Sequence, residues 1–378
     1  MIAIVYPQFH EVGGIARYLD SFMAQLAPDG PGVSLLTSPG ARPESGRPRL
    51  IHIPCPRSRF GLLLWSLRTR RRLLDMHRQG LITCINLHIP PLIPGLLLPR
   101  SIPMVLTAHT TYVGMSGRFE GNRHFSSPWN ALSVWLKTRL ERQLIARAQT
   151  VISLTEQGRS ELAHYGRSEG IVVIPNGVDV KAFQGSERSH PDIDVLFSGR
   201  IERRKGSRPM VELCRRLIDA KPDIRIAIVG YGDDEAYVRD ALAGFGDRVW
   251  LTGKIAFGDM LAFYRRSRVY VSTSYYEGLP GTCLEAMATG LPAVVWDLMF
   301  YRGLVTDGVT GLLAPPNDHG RMAAQVLALL SDPERATAMG RRAQWRVREK
   351  YDWKQLSRQV MQALEQAAAA RSPAKEAA

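Results

Sequence analysis

The sequence predicts an α/β protein made of two doubly wound parallel sheets. Two observations carry this. Short runs rich in Val and Ile alternate with amphipathic helical stretches along the whole 378-residue chain, as in strand–helix–strand units. A polar stretch holding Gly and Pro and lacking any apolar period, Lys181–Asp194, interrupts the alternation near its middle, as a linker would. A chain of this length also exceeds what one hydrophobic core usually holds.

The strand candidates in the first half are Ile2–Tyr6, Val33–Thr37, Leu50–Ile53, Leu81–Asn86, Met104–Ala108, Thr150–Ser153 and Ile171–Ile174. In the second half they are Asp194–Ser198, Arg225–Val229, Arg248–Thr252, Val269–Ser272 and Ala293–Trp296. Most are continuously apolar, as expected of strands buried on both faces. Ile15–Ala27, the Trp135–Ala148 region and Pro209–Ala220 read as helices between them. The first domain is therefore placed at 1–182 and the second at 190–352, with the linker near 182–192. A last helical pattern runs from Trp353 to about 370, and the tail 371–378 is expected to fray.

At 45% hydrophobic and 22% charged residues the composition is that of a soluble globular protein, which excludes a disordered or fibrous chain. Four cysteines lie far apart with no Cys-x-x-Cys pair. This argues against a disulfide framework or a zinc site and suits a reducing compartment. The N-terminus reads as a strand and loop with no basic leader. No apolar run approaches the roughly 18 residues of a membrane span. The expected location is the cytoplasm.

The net charge of +14 is uneven: residues 1–190 carry 22 Lys and Arg against 12 Asp and Glu. The densest cluster, Arg57–Leu74, sets Arg68, Arg70, Arg71 and Arg72 beside Leu62, Leu63, Leu64, Trp65 and Leu67. Basic residues beside exposed Leu and Trp suit an anionic membrane surface. A nucleic-acid footprint and a half-buried helix with a solvated arginine face read the same way.

Two facing sheets would place their strands' carboxyl ends around a shared cleft, so residues just after strands are the candidates. Gly13 and Gly14 follow the first strand and precede a helix, where their amides can approach an anion or simply make a tight turn. They are not part of a Gly-x-Gly-x-x-Gly fingerprint, which removes the nicotinamide oxidoreductase reading. His109 ends the strand Met104–Ala108 and could bond a ligand hydroxyl, or be a satisfied polar residue. Arg200 and Lys205 flank a turn after Asp194–Ser198. They suit a diphosphate, and an ordinary basic surface loop would look alike. In YYEGLPGTCLEAMATGLPAV, Tyr275–Val294, the glycines and Pro280 place Glu277 on a loop,. Thr282 to Glu285 matches a Ser/Thr-x-x-Glu capping box, which gives Glu285 a helix-capping duty that Glu277 lacks. Free amides suited to phosphate and two carboxylates suited to hydroxyls together fit a sugar nucleotide.

The ordered set VIPNGVD (Val173–Asp179), SGRIERRKG (Ser198–Gly206), IVGYGDD (Ile228–Asp234), the two-glutamate segment and DGVTGLLAPPND (Asp307–Asp318) resembles the retaining family 4 glycosyltransferases. That family has the GT-B fold, two facing Rossmann-like domains with a deep cleft between them. The match covers nearly all of 170–350 and, more loosely, the first half through GGIARYL and His109. The resemblance implies that Arg200 and Lys205 hold the donor diphosphate, that Glu277 contacts the transferred sugar, and that Glu285 binds the ribose. It puts the amides of Gly281 and Thr282, after Leu279 and Pro280, on the phosphate, with Gly13 and Gly14 approaching from the other domain. It places His109 against the sugar, Lys254 and Ile255 beside the base, and the helix after Trp353 back on the first domain.

The implied reaction is metal-independent hexosyl transfer with retention, from a UDP-sugar ahead of GDP-mannose. The implied acceptor is a glycan or lipid-linked glycan of cell-envelope polysaccharide or glycolipid synthesis. The expected setting is the inner face of the cytoplasmic membrane, with contact through Arg57–Leu74, no nucleic-acid partner and no cofactor. Departures from the family pattern, Gly278-Leu279-Pro280-Gly281 and WDLMFYRGLVTDG, fall where the sugar's hydroxyls would be read. The competing readings are an epimerase or hydrolase on the same fold, and a non-catalytic sugar-nucleotide or glycan binder.

Overall fold

The computed structural model describes residues 1–8, 13–26, 32–40, 49–56, 58, 60–117, 131–183 and 191–370. Most of the expected linker, at 184–190, and the tail 371–378 lie outside the described residues, as do Arg57 and Arg59. The chain divides into two compact units. Of the described residues, those within 1–116, 131–177 and 353–370 form the first, and 117 with 178–352 the second.

The first unit is built on seven strands: β1 (Ile2–Val5), β2 (Val33–Thr37), β3 (Arg49–His52), β4 (Cys84–Ile89), β5 (Met104–Ala108), β6 (Thr150–Ser153) and β7 (Ile171–Val173). All pair in parallel, in the order β3-β2-β1-β4-β5-β6-β7. Ile4, Leu35, Ile85, Leu106 and Ile152 are fully buried along its centre, each contributing roughly 1.5–3 kcal/mol of burial. The helix Gly14–Ala24 returns over this sheet because Ala16, Tyr18, Leu19, Phe22 and Met23 recur at helical spacing and are all buried,.

β4 departs from expectation by three residues. Leu81 is still in the turn that ends the preceding helix: its amide bonds the Met76 carbonyl at 2.9 Å, next to Gly80 at φ 70°. The strand instead runs on through Asn86 and His88, both buried. Polar residues in a buried strand read as a strand end, whereas here they satisfy one another.

The helix Gly61–Arg78 corrects another expectation. Trp65, expected among exposed residues, is fully buried. Gly61, Trp65, Thr69, Leu73 and Met76 recur on one face and turn it inward,. What remains outside is Phe60, Leu63, Leu64 and Leu67, the last three about 41% exposed, with exposed Arg68, Arg70, Arg71 and Arg72.

The second unit has six strands, all parallel: β8 (Ile193–Ser198), β9 (Ile226–Val229), β10 (Val249–Gly253), β11 (Ser267–Ser272), β12 (Ala293–Trp296) and β13 (Gly311–Ala314). Their order is β10-β9-β8-β11-β12-β13. β13, not foreseen as a strand, is a four-residue edge strand hemmed by turn residues. In each sheet the order reverses once, between β1 and β4 and between β8 and β11. Such reversals open the crevices where doubly wound sheets bind ligands. The last helix, Trp353–Ala369, is part of the first unit and packs on β4 and β5. Its Trp353 ring lies 4.9 Å from Tyr18, edge to face.

The short helix Tyr112–Met115, which follows β5, is held by buried carboxylates. Glu141 accepts the Tyr112 amide at 2.8 Å and the Tyr165 hydroxyl, while Glu161 accepts the Thr111 hydroxyl at 2.5 Å and the Gln157 amide at 2.9 Å. Burial pushes the Glu141 carboxyl up to about 8, and the nearby Glu161 carboxylate adds to this. The bonds from Tyr165 and Tyr112 oppose it. An unfolded glutamate loses its proton near pH 4.3. From there to about pH 8 the unfolded chain releases a proton that the folded chain keeps, so stability falls as pH rises through this window. Glu141→Gln mimics the neutral carboxyl. Its melting temperature relative to the parent is therefore expected to rise steadily from pH 5 to pH 8. Parallel melting profiles across that range would show that Glu141 is ionised in the folded chain.

Candidate active site

The second unit gathers most of the expected site residues at the carboxyl ends of β8 and β11, the strands where its sheet reverses. After β8 the chain makes a 3₁₀ turn, Arg203–Lys205, and Gly206 follows at φ 74°. A side chain at Gly206 would collide with the Thr273 carbonyl, 1.9 Å from an ideal Cβ. Only glycine allows the two loops this close. Arg204 fastens them further, donating to the Tyr276 carbonyl at 3.1 Å and to Glu202 at 2.6 Å. It is a structural residue.

This approach brings Lys205 onto Glu277. The ammonium donates to one carboxylate oxygen of Glu277, and the Ser274 hydroxyl donates to the other at 2.9 Å. Their side chains are only 22% and 13% exposed. Burial lowers the Lys205 pKa below its usual value, and the Glu277 carboxylate opposes this. Two charges so little solvated hold each other in place: removing either leaves the other uncompensated.

Glu285 lies one helical turn further on and is also buried. The structure corrects its expected capping role. The helix spans Gly281–Ala288 with Pro280 as N-cap, and no side chain caps it. Thr282 donates to the Ser198 carbonyl at 3.2 Å and accepts from the Tyr270 hydroxyl at 2.9 Å, which pins the helix start to the end of β8. Glu285 accepts the Tyr264 hydroxyl at 2.8 Å. The first amides of the helix, among them those of Gly281 and Thr282, have no partner within the helix. Leu279 and Pro280 form the turn ahead of them, with Leu279 against the core.

Arg200 and Lys254 stand at the ends of β8 and β10, both exposed. Their cationic groups lie 5.0 and 5.4 Å from the centre of the Tyr231 ring, after β9, within cation–π range. Ile255, next to Lys254, packs against the core. Sequence reasoning missed Ser274, Tyr264, Tyr270 and Tyr231. Tyr264, Tyr270 and Tyr231 meet partners distant in sequence, and Ser274, just ahead of the two-glutamate motif, has its partner Glu277 three residues on.

Gly13, Gly14 and His109 belong to the first unit. Gly13 caps the first helix and Gly14 opens it, both exposed, and an added Cβ at either would meet nothing within 4 Å. His109 follows β5, is buried, and bonds His88 through its Nε2 at 2.9 Å. Burial lowers its pKa to about 3, so the ring is neutral. Among the described residues, no three His, Cys, Asp or Glu side chains cluster as metal ligands would, and no helix is long and apolar enough to cross a membrane.

Two Rossmann-like units with parallel sheets of seven and six strands constitute the GT-B fold. Comparison with solved structures agrees. Sucrose-phosphate synthase from Thermosynechococcus elongatus superposes with a TM-score of 0.81 at 22% identity, covering 98% of this chain and 99% of that one. Anabaena HepE in complex with UDP gives 0.76 at 17% identity, covering 97% and 99%. The Glycosyltransferase Family 4 model matches residues 12–182, and the Glycosyl transferases group 1 model matches 179–346. The chain belongs to the family 4 glycosyltransferases of GT-B fold. A curated relative, phosphatidyl-myo-inositol mannosyltransferase of Mycolicibacterium smegmatis, is 32% identical over 54% of this chain and 55% of its own length. The chain thus spans little more than half the length of that relative.

Proposed function

We propose that the protein is a retaining glycosyltransferase that moves a hexose from a nucleotide sugar to a glycan or lipid-linked glycan, in cell-envelope polysaccharide or glycolipid synthesis. The Lys205–Glu277 pair beside the uncapped helix Gly281–Ala288 carries this reading. A sugar nucleotide offers each half of the pair a better partner. The diphosphate attracts Lys205, Arg200 and the amides of Gly281 and Thr282. The sugar's hydroxyls donate to Glu277, which Ser274 keeps in place. Glu285, oriented by Tyr264, accepts from the ribose hydroxyls, and Lys254 and Ile255 flank the base. Gly13 and Gly14 are not required by their own surroundings, which suits amides kept open for a phosphate.

In the reaction the bond from the sugar's anomeric carbon to the phosphate oxygen breaks. The acceptor oxygen bonds the same face, and its proton passes to the departing phosphate. Lys205, Arg200 and the helix amides stabilise the charge that develops there. Preorganised cations and amides in these positions supply what a divalent metal would otherwise supply. UDP is the favoured nucleotide because HepE, of the same fold, was solved with UDP. A Xanthomonas campestris relative whose name gives GDP-mannose as its donor, 27% identical over 67% of this chain, keeps GDP-mannose second.

The first unit's surface supports the reading of a membrane-borne acceptor. The helix Gly61–Arg78 shows Leu63, Leu64 and Leu67 beside Arg68, Arg71 and Arg72, and the helix Ala131–Arg147 shows Leu132, Trp135 and Leu136 beside Arg139 and Arg142. Both pack on the short helix Ile93–Leu97. Exposed apolar side chains interleaved with arginines suit the anionic inner face of the cytoplasmic membrane.

Two experiments test these readings. Given a panel of UDP- and GDP-hexoses and a bacterial lipid extract, the protein is expected to release nucleoside diphosphate and form an α-linked product from an α-linked donor, with EDTA present. Glu277→Gln should lower the rate about 100-fold or more. Full activity in that variant, or an inverted product, contradicts the assignment. Separately, vesicles rich in phosphatidylserine should sediment the protein at low ionic strength and release it in salt, with weaker binding by Arg71→Glu/Arg72→Glu. Indifference to such vesicles at low salt excludes the membrane contact.

A further inference from the structure

The neutral histidine of the first unit is one end of a buried chain of hydrogen bonds, and that chain fixes where its proton sits. Asn86 and His88 lie in β4, Thr107 in β5, and His109 directly after β5. The Asn86 amide nitrogen lies 3.3 Å from the Val105 carbonyl and 2.9 Å from the Thr107 hydroxyl. A backbone carbonyl only accepts, so the amide NH₂ must face it and the Asn86 oxygen must face the other way. That oxygen is 2.8 Å from His88 Nε2, which therefore carries a proton. A neutral His88 then has a bare Nδ1, and this atom is 2.9 Å from His109 Nε2. His109 must donate there. Its own Nδ1 is left with a lone pair and bonds no described residue.

The surroundings keep both rings neutral. Burial lowers the pKa of His88 well below the usual value, and His109 would repel a second charge. Tyr18 stands edge-on to the His109 ring at 4.8 Å and lies 5.6 Å from His88, and Trp353 packs on Tyr18 from the last helix. Glu141 and Glu161 are engaged elsewhere, with the Tyr112 amide and the Thr111 hydroxyl. Asn86 and His88 thus supply what a carboxylate would otherwise supply, a defined tautomer, without adding charge.

We infer that Asn86 and His88 are positioning residues that lock His109 as the Nε2–H tautomer, so that its Nδ1 acts as a proton-free acceptor for a hydroxyl of the transferred sugar. This rests on the glycosyltransferase reading for the identity of the hydroxyl, whereas the tautomer itself does not. The consequence is selective. His109 can accept from a hydroxyl but cannot donate to a carbonyl or serve as a general acid, and no histidine titration in this pair should enter the rate between pH 5.5 and 8.

The test is long-range ¹H–¹⁵N spectroscopy of the full-length protein labelled at histidine, with His109 assigned by its loss in His109→Gln. The parent protein is expected to show His109 protonated at Nε2 and bare at Nδ1 throughout that pH range. His88→Phe removes the acceptor. It should redistribute the His109 proton and lower kcat/KM for the donor roughly ten-fold. His88→Gln, whose amide oxygen can still accept from His109, should keep the Nε2–H tautomer and most of the activity. A parent spectrum with the proton on Nδ1 overturns the inference. So does a folded His88→Phe with unchanged tautomer and kcat/KM. If His88→Phe does not fold, the parent spectrum and His88→Gln decide. The expected tautomer in a protein that binds no sugar nucleotide would sink the glycosyltransferase reading and leave the hydrogen-bond chain standing.

Discussion

The arrangement of the second unit depends on one ion pair. An ammonium and a carboxylate taken largely out of water must be matched, or the fold bears the cost of a naked charge. Lys205 and Glu277 meet because the loops after β8 and β11 run together at the point where the sheet reverses, and because Gly206 leaves no Cβ to hold them apart. Arg204, Ser274 and the backbone bond from the Tyr275 amide to the Arg204 carbonyl keep the junction from relaxing. The pair satisfies each charge in the free protein. On the proposed reading it is also a reservation: a diphosphate and a sugar hydroxyl, arriving together, replace each partner by one of the right sign.

The first unit answers a similar problem by the opposite means. Three of its buried titratable groups are held neutral. His88 and His109 are depressed by burial, Glu141 is raised by it, and hydrogen bonds rather than counter-ions satisfy them. The little-solvated ion pair Lys205–Glu277 lies in the unit proposed to hold phosphate. The unit proposed to face the acceptor presents directed lone pairs and amides, with Arg68, Arg70, Arg71 and Arg72 on an exposed helix face.

Much of this was legible in the chain. Continuous Val- and Ile-rich runs located most of the strands, and looking just after them located Lys205, Arg200, Glu277 and His109. What escaped shares a physical origin. Asn86 and His88 are polar residues inside a buried strand, made tolerable by bonds to Thr107 and His109 as well as to each other; the strand was expected to end at Asn86, where it runs on to Ile89. The Thr282–Glu285 spacing matched a capping box, yet tertiary partners, Tyr270 and Tyr264, claimed both side chains. Trp65 looked like part of an exposed basic stripe until its helix face was fixed by packing. In each case a contact remote in sequence outranked a local pattern.

The central claim is that Lys205 leaves Glu277 to hold a nucleotide's diphosphate. Calorimetric titration with UDP, on the parent protein and on Lys205→Ala, tests it most directly. The account predicts saturable binding by the parent and a loss of about ten-fold or more in affinity in the variant. Equal affinity in the two proteins, or no UDP binding by the parent alongside none for GDP, would contradict it.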